Sequence, residues 1–130
     1  MLDKVLIANR GEIAVRIART ARELGFRTIG VHTPDDAGSL HCRVMAVSIE
    51  LPEAGPAGDL DIEAILSVAQ DQGVSLIHPG YGFLAENAQF ARRCAQTGFI
   101  FVGPSPEALA TFGDKRAALR LAAECNIPCL

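Results

Sequence analysis

The residues best suited to chemistry lie in His78 to Asn87, HPGYGFLAEN. The chain's only tyrosine, Tyr81, stands between Gly80 and Gly82, and the carboxylate of Glu86 follows. Pro79, Gly80 and Gly82 neither extend a strand nor begin a helix comfortably, so this stretch must be a tight loop. Ligands of open α/β sheets sit beyond the carboxyl ends of the strands, which is where the loop would lie. The competing reading is a proline-glycine turn whose Tyr81 packs on the surface. A second candidate is Gly113-Asp114-Lys115-Arg116. Two cations in the first turn of a helix are unfavourable by a few tenths of a kcal/mol or more. Either a solvated face tolerates them, or Lys115 points at an anion such as a nucleotide phosphate. Arg16, Arg19 and Glu23 share one face of the first helix, as a surface pair worth ~0.3 kcal/mol or as the rim of an interface.

Two other sites fail on chemistry. The turn ANRGEIAVR has the position of a dinucleotide fingerprint but only one of its glycines, Gly11. Glu12 would meet the positive end of the helix dipole and repel a phosphate. His32, His41 and His78 are too far apart in sequence to argue for a metal.

The elements that must position these residues alternate strand and helix. Lys4–Ala8 reads as the first strand, then a helix with Ile13, Ile17, Ala21 and Leu24 at helical spacing, widened by Ala14 and Ala18. Arg27–His32 is the second strand. A turn-rich segment and a short helical turn at His41–Met45 precede a third strand, Ala46–Leu51. Its Ser48 and Glu50 place that strand near an edge. Residues 52–58 read as loop and Leu60–Gln72 as helix, capped by Asp59 or Asp61 and stopped by Gly73. The fourth strand, Val74–Ile77, feeds the HPGYGF loop. Ala88–Ala95 is a helix and Phe99–Val102 a fifth strand. A short helix, Glu107–Phe112, precedes a last helix, Lys115–Cys125, capped by Asp114 with Leu119, Ala122 and Ala123 inward. This predicts a doubly wound, Rossmann-like α/β domain. Its parallel sheet has about five strands in the order 3-2-1-4-5, with helices on both faces. The consecutive apolar residues of KVLIA and IFV suit strands covered on both sides.

A chain of 130 residues, 49% hydrophobic and 21% charged, fits one soluble globular domain spanning 1–130. The net charge of −3 does not suggest a nucleic-acid partner. No apolar run reaches the ~18 residues of a membrane span. The start MLDKVLIANRGE does not read as a signal peptide. Cys42, Cys94, Cys125 and Cys129 match no zinc spacing and read as reduced thiols. Asn126–Leu130 reads as the start of a further strand, with more chain expected beyond it.

Three strings stand together in order: VLIANRGEIAVRIARTARELG, IHPGYGFLAENAQFA and GFIFVGPSPEALATFGDKRAA. Together they resemble the N-terminal, pre-ATP-grasp domain of biotin carboxylase, as in acetyl-CoA, propionyl-CoA and pyruvate carboxylases and urea amidolyase. The resemblance implies a ligase that carboxylates biotin at its ureido nitrogen, using ATP, bicarbonate and magnesium, with carboxyphosphate as intermediate. It implies that Lys115 contacts the nucleotide, that Tyr81 and Gly82 lie beside the biotin pocket, and that Glu86 supports them. It implies a homodimer surface at Arg16, Arg19 and Glu23. The implied partners are the ATP-grasp region, a biotin carboxyl carrier and a carboxyltransferase. The implied location is the cytoplasm, or the mitochondrial matrix in a eukaryote. Relatives usually carry Ala-Asp-Glu-Ala where this chain has Ala46, Val47, Ser48 and Ile49, and often Ser-Tyr-Leu where it has Gly58, Asp59 and Leu60. The metal-binding acids and most adenine contacts belong to the ATP-grasp region, which these residues do not include. The segment is therefore expected to hold no catalytic residue and no metal site, and to be inactive alone. The alternative is a non-catalytic, carboxylase-like assembly module. Under the enzyme reading, Tyr81 and Lys115 face one cleft that another domain closes.

Overall fold

In the computed structural model, which describes residues 3–129, five parallel strands form one sheet in the order β3-β2-β1-β4-β5. The strands are β1 (Lys4–Ile7), β2 (Arg27–His32), β3 (Val47–Glu50), β4 (Leu76–His78) and β5 (Ile100–Phe101). The helices are α1 (Gly11–Glu23), α2 (Leu40–Val44), α3 (Gly55–Asp59), α4 (Ile62–Gln72), α5 (Ala88–Gln96), α6 (Pro106–Gly113) and α7 (Lys115–Glu124). The expected strand order and parallel sense are both present.

Alternation along β1 sends side chains to opposite faces of the sheet. Leu6 joins Ile29, Val31, Ile65, Leu66, Ile77, Leu84 and Phe90 in the larger core, under α4 and α5. Ile7 joins Ala14, Ala18 and Met45 on the other face, under α1 and α2. Phe90 is fully buried and meets the Phe101 ring edge-on, with centroids 5.8 Å apart. Beside α1, the same face over β4 holds an open apolar hollow of about 550 Å³, lined by residues that include Val5, Ile17, Leu24, Phe26, Leu76 and Val102.

Local signals act as expected at several boundaries. The Asp61 side chain caps α4 by accepting from the Ala64 amide at 3.0 Å, and Gly73 ends that helix in the left-handed region. Asn87 caps α5 through the Phe90 amide at 2.9 Å. Asp114 caps α7, accepting from the amides of Arg116 and Ala117.

Other expectations are corrected. The buried line of α1 is Ala14, Ala18 and Ala21, whereas Leu24 lies past the helix and is 70% exposed. The sheet comes close to α1, and alanine lets it do so. Residues 52–58 are not simple loop, because α3 begins at Gly55. The expected cover on both faces of IFV is not found: β5 is an edge strand and Ile100 is 61% exposed. Nor does α7 bury an apolar face. Leu119 and Ala123 are exposed, and only Ala117, Ala118, Leu121 and Ala122 are half-covered. No strand forms over residues 126–129, and Leu130 lies outside the described residues.

Candidate functional site

The carboxyl ends of β1, β2 and β4 meet at one rim, and the HPGYGF loop is built there. β1 and β4 are neighbours, with Ile7 paired to His78, and the Ala8 amide donates to the His78 carbonyl at 2.9 Å. Both strands therefore deliver their turns to the same place.

Asn9, in the β1–α1 turn, is 7% exposed. Its amide nitrogen donates to the carbonyls of Pro79 at 2.8 Å and Tyr81 at 3.0 Å. Its Oδ1 accepts from the Arg10 amide at 2.8 Å. Gly80, at φ 69°, lies so close that a Cβ there would stand 2.6 Å from Asn9 Nδ2 and 2.8 Å from Ile13 Cγ2. Gly82 and Phe83 also have positive φ, 66° and 48°, so the backbone reverses sharply before a short 3-10 turn over Phe83–Glu86.

Arg10 is the second brace. Its guanidinium lies 5.2 Å from the centre of the Phe83 ring, a cation–π contact. It also reaches Asp59 at 3.2 Å and Asp36 at 3.9 Å. Even so, burial holds the Asp59 carboxyl above its usual range. The Arg10 charge opposes this, but it is shared with Asp36, and Asp36 and Asp35 push Asp59 the other way. The Asp35 carboxyl sits below its usual range, because it accepts from the Gly55 amide at 2.9 Å. Among the described residues, no group of three or more His, Cys, Asp or Glu is arranged to hold a metal ion.

The histidines separate into distinct roles. His41 is fully buried. Its Nδ1 faces the Gly11 amide at 3.4 Å and its Nε2 the Val31 carbonyl at 3.2 Å. An amide can only donate and a carbonyl only accept, so Nδ1 is the accepting nitrogen and Nε2 the donating one. His41 thus fills the space at the start of α1, where Glu12 also stands. His32, at the end of β2, bonds Ser48 at 2.7 Å. His78 Nδ1 accepts from the Gly80 amide at 3.0 Å, and burial lowers its pKa.

Tyr81 is 66% exposed, so its ring is not packed away as a turn filler. It lines a hollow of about 550 Å³ with Glu12, Ile13, Arg16, Ile17, His78 and Gly80. Gly82 and Glu86 follow within the same loop, and Glu86 is exposed. Arg16 and Arg19 lie on the outer side of α1 and line a further groove with Ser39 and Leu40. Glu23 is exposed at the end of α1, and no ion pair joins it to Arg19. Lys115 is exposed at the first position of α7 and is not among the residues lining the Tyr81 hollow. The structure therefore brings Tyr81, His78 and Arg16 together, but leaves Lys115 on a separate helix. Sequence reasoning passed over Asn9 and Arg10. Their signal was position: both follow β1 directly, at the rim where the loop after β4 also emerges.

This fold and rim define a class: a doubly wound α/β domain whose loop after β4 is braced by the turn after β1. The model of the biotin carboxylase N-terminal domain family matches residues 1–109, and the chain belongs to that family. It is 45% identical over its whole length to a biotin carboxylase of Allochromatium vinosum, of which it spans 29%. It is 48% identical over 98% of its length to a pyruvate carboxylase of Bacillus subtilis, of which it spans 11%. Among solved structures, the biotin carboxylase domain of a single-chain bacterial carboxylase superposes with a TM-score of 0.95 at 52% identity, over 98% of this chain and 30% of that one. The chain therefore spans less than a third of the relatives it matches. Lys115 lies beyond the part that the family model covers.

Proposed function

We propose that this chain acts as the N-terminal domain of an ATP-dependent biotin carboxylase, contributing to the carboxylation of biotin by bicarbonate. The observation that carries the reading is the continuity of the family match through both the β1–α1 turn and the HPGYGF loop, the two segments that build the rim. Tyr81 and Gly82 then form one wall of the biotin pocket, with Glu86 supporting the loop. The exposed phenol presents both an apolar ring and a polar tip to a small amphipathic ligand. Lys115 carries its charge at a helix start, a position that favours a nucleotide phosphate.

The described residues do not fit a magnesium site, and Asp35, Asp36 and Asp59 are engaged with Arg10 and the Gly55 amide. Phosphoryl transfer depends on metal-assisted charge stabilisation, for which the described residues offer no ligand group. The metal and most of the ATP contacts therefore belong to an ATP-grasp region outside these residues, and the 130-residue chain alone is inactive. A carrier bearing biotin and a carboxyltransferase are its further partners. Arg16, Arg19 and Glu23 form the rim of a homodimer contact. Among the described residues no helix is long and apolar enough to cross a membrane, and the four cysteines are unpaired, which suits a reducing compartment such as the cytoplasm or mitochondrial matrix.

Two substitutions in a complete carboxylase containing this domain test the assignment. Tyr81→Ala should raise KM for biotin about 10-fold while leaving KM for ATP unchanged, the loss expected for one aromatic contact. Lys115→Ala should raise KM for ATP by a similar factor, on the order of one charge-assisted hydrogen bond. Wild-type constants in both variants would remove Tyr81 and Lys115 from the site.

A further inference from the structure

We propose that Asn9 is the positioning residue of the HPGYGF loop: its buried carboxamide fixes the backbone that presents Tyr81 and Gly82. The inference rests on the biotin reading only for its effect on turnover.

Buried Pro79 and Leu84, the His78–Gly80 bond and the Arg10–Phe83 contact hold the flanks of the loop, but the Tyr81 carbonyl is held by Asn9. Tyr81 is mostly exposed, so burial of its ring does not set the backbone. Gly80 and Gly82 have positive φ, and glycine is as free to leave that conformation as to keep it, so contacts from outside must fix the loop backbone. Asn9 supplies those contacts on both sides of Gly80, through Pro79 and Tyr81. The two carbonyls can only accept, so the amide nitrogen must face them and the oxygen must face the Arg10 amide. Both N–H bonds and the oxygen are used, and the group is 7% exposed. A carboxylate there would set negative charge against two carbonyl oxygens with no proton to give. The asparagine of the β1–α1 turn thus acts across the rim, on the loop after β4.

The chain holds one tyrosine and no tryptophan, so its intrinsic emission reports Tyr81 alone. Asn9→Asp has nearly the same shape but cannot donate. In this variant the slow, whole-molecule part of the Tyr81 anisotropy decay should shrink in favour of a fast nanosecond component, while far-UV circular dichroism stays as in the wild type. In the complete carboxylase the same change should raise KM for free biotin about 10-fold, the scale of one lost buried hydrogen bond, with KM for ATP unchanged. A wild-type anisotropy decay in a folded Asn9→Asp chain would overturn the proposal. Should Asn9→Asp not fold, Gly80→Ala replaces it, because the added Cβ presses on Asn9 Nδ2 from the loop side; the same loss of slow amplitude is expected. Failure of both variants to fold would also overturn it, by showing that Asn9 holds the sheet and not the loop. A loosened Tyr81 with an unchanged biotin KM would uphold the clamp and refute the placement of Tyr81 beside biotin.

Discussion

His78 shows how one side chain links strand, loop and pH. Its Nδ1 accepts from the Gly80 amide, and this bond exists only while Nδ1 carries no proton. Burial lowers its pKa from 6.5, so the folded protein binds that proton less readily than the unfolded chain does. Stability contributed by the neutral imidazole is complete above 6.5 and is lost as pH falls below it. An NMR titration of the His78 ring should give a value below 6.5. His78→Gln should flatten the fall in Tm over that range. A ring titrating at or above 6.5 would show that the Gly80 bond does not hold in solution. Asp59 works in the opposite sense. Its folded pKa is raised, so its ionised form costs stability at neutral pH, and the cost is relieved as pH falls through that raised value.

The short helix α3 and the core helix α5 show two ways in which an element depends on one residue. α3 sits where a loop reads from the sequence, over Gly55–Asp59. A Cβ at Gly58 would stand 2.1 Å from the Glu53 carbonyl and 2.8 Å from Thr33 Cγ2. Backbone yields less readily than a side chain, so Gly58→Ala should cost about 1–3 kcal/mol in urea unfolding, as overpacking does. It should also move Asp59 away from Arg10. An unchanged midpoint would mean that α3 shifts freely. Phe90 tests the opposite defect: Phe90→Ala leaves a void under β4 and β5 and should cost about 3–5 kcal/mol.

The sheet and its helices up to α5 supply the buried core, α6 covers α5 without a buried residue of its own, and α7 is an appendage. It has no buried residue, and its capping by Asp114 is local. Deleting residues 114–130 should therefore leave a cooperative melt with Tm lowered by only a few degrees, as expected for a loss near 1 kcal/mol. The fully buried thiol of Cys94, with its pKa pushed up to about 11, gives a sensitive check. In the truncated chain it should stay unreactive towards a thiol reagent at pH 8 until the protein is unfolded. Rapid labelling of Cys94 would show that α7 holds the core closed.

The amino-acid sequence by itself determined the strand order, the edge position of β3, the cap at Asp114, and the family. Each of these rests on local pattern: alternation of strand and helix, polar residues in a strand, a carboxylate before a helix, or a string of residues read in order. Only the tertiary structure decided that Asn9 and Arg10 brace the loop after β4, that Leu24 faces outward, and that Lys115 stands apart from the Tyr81 hollow. Those facts join residues about seventy positions apart, or depend on which strand ends at the edge. The strand order places β1 beside β4, but spacing along the sequence carries no record of which side chains then meet across the rim that the two strands share.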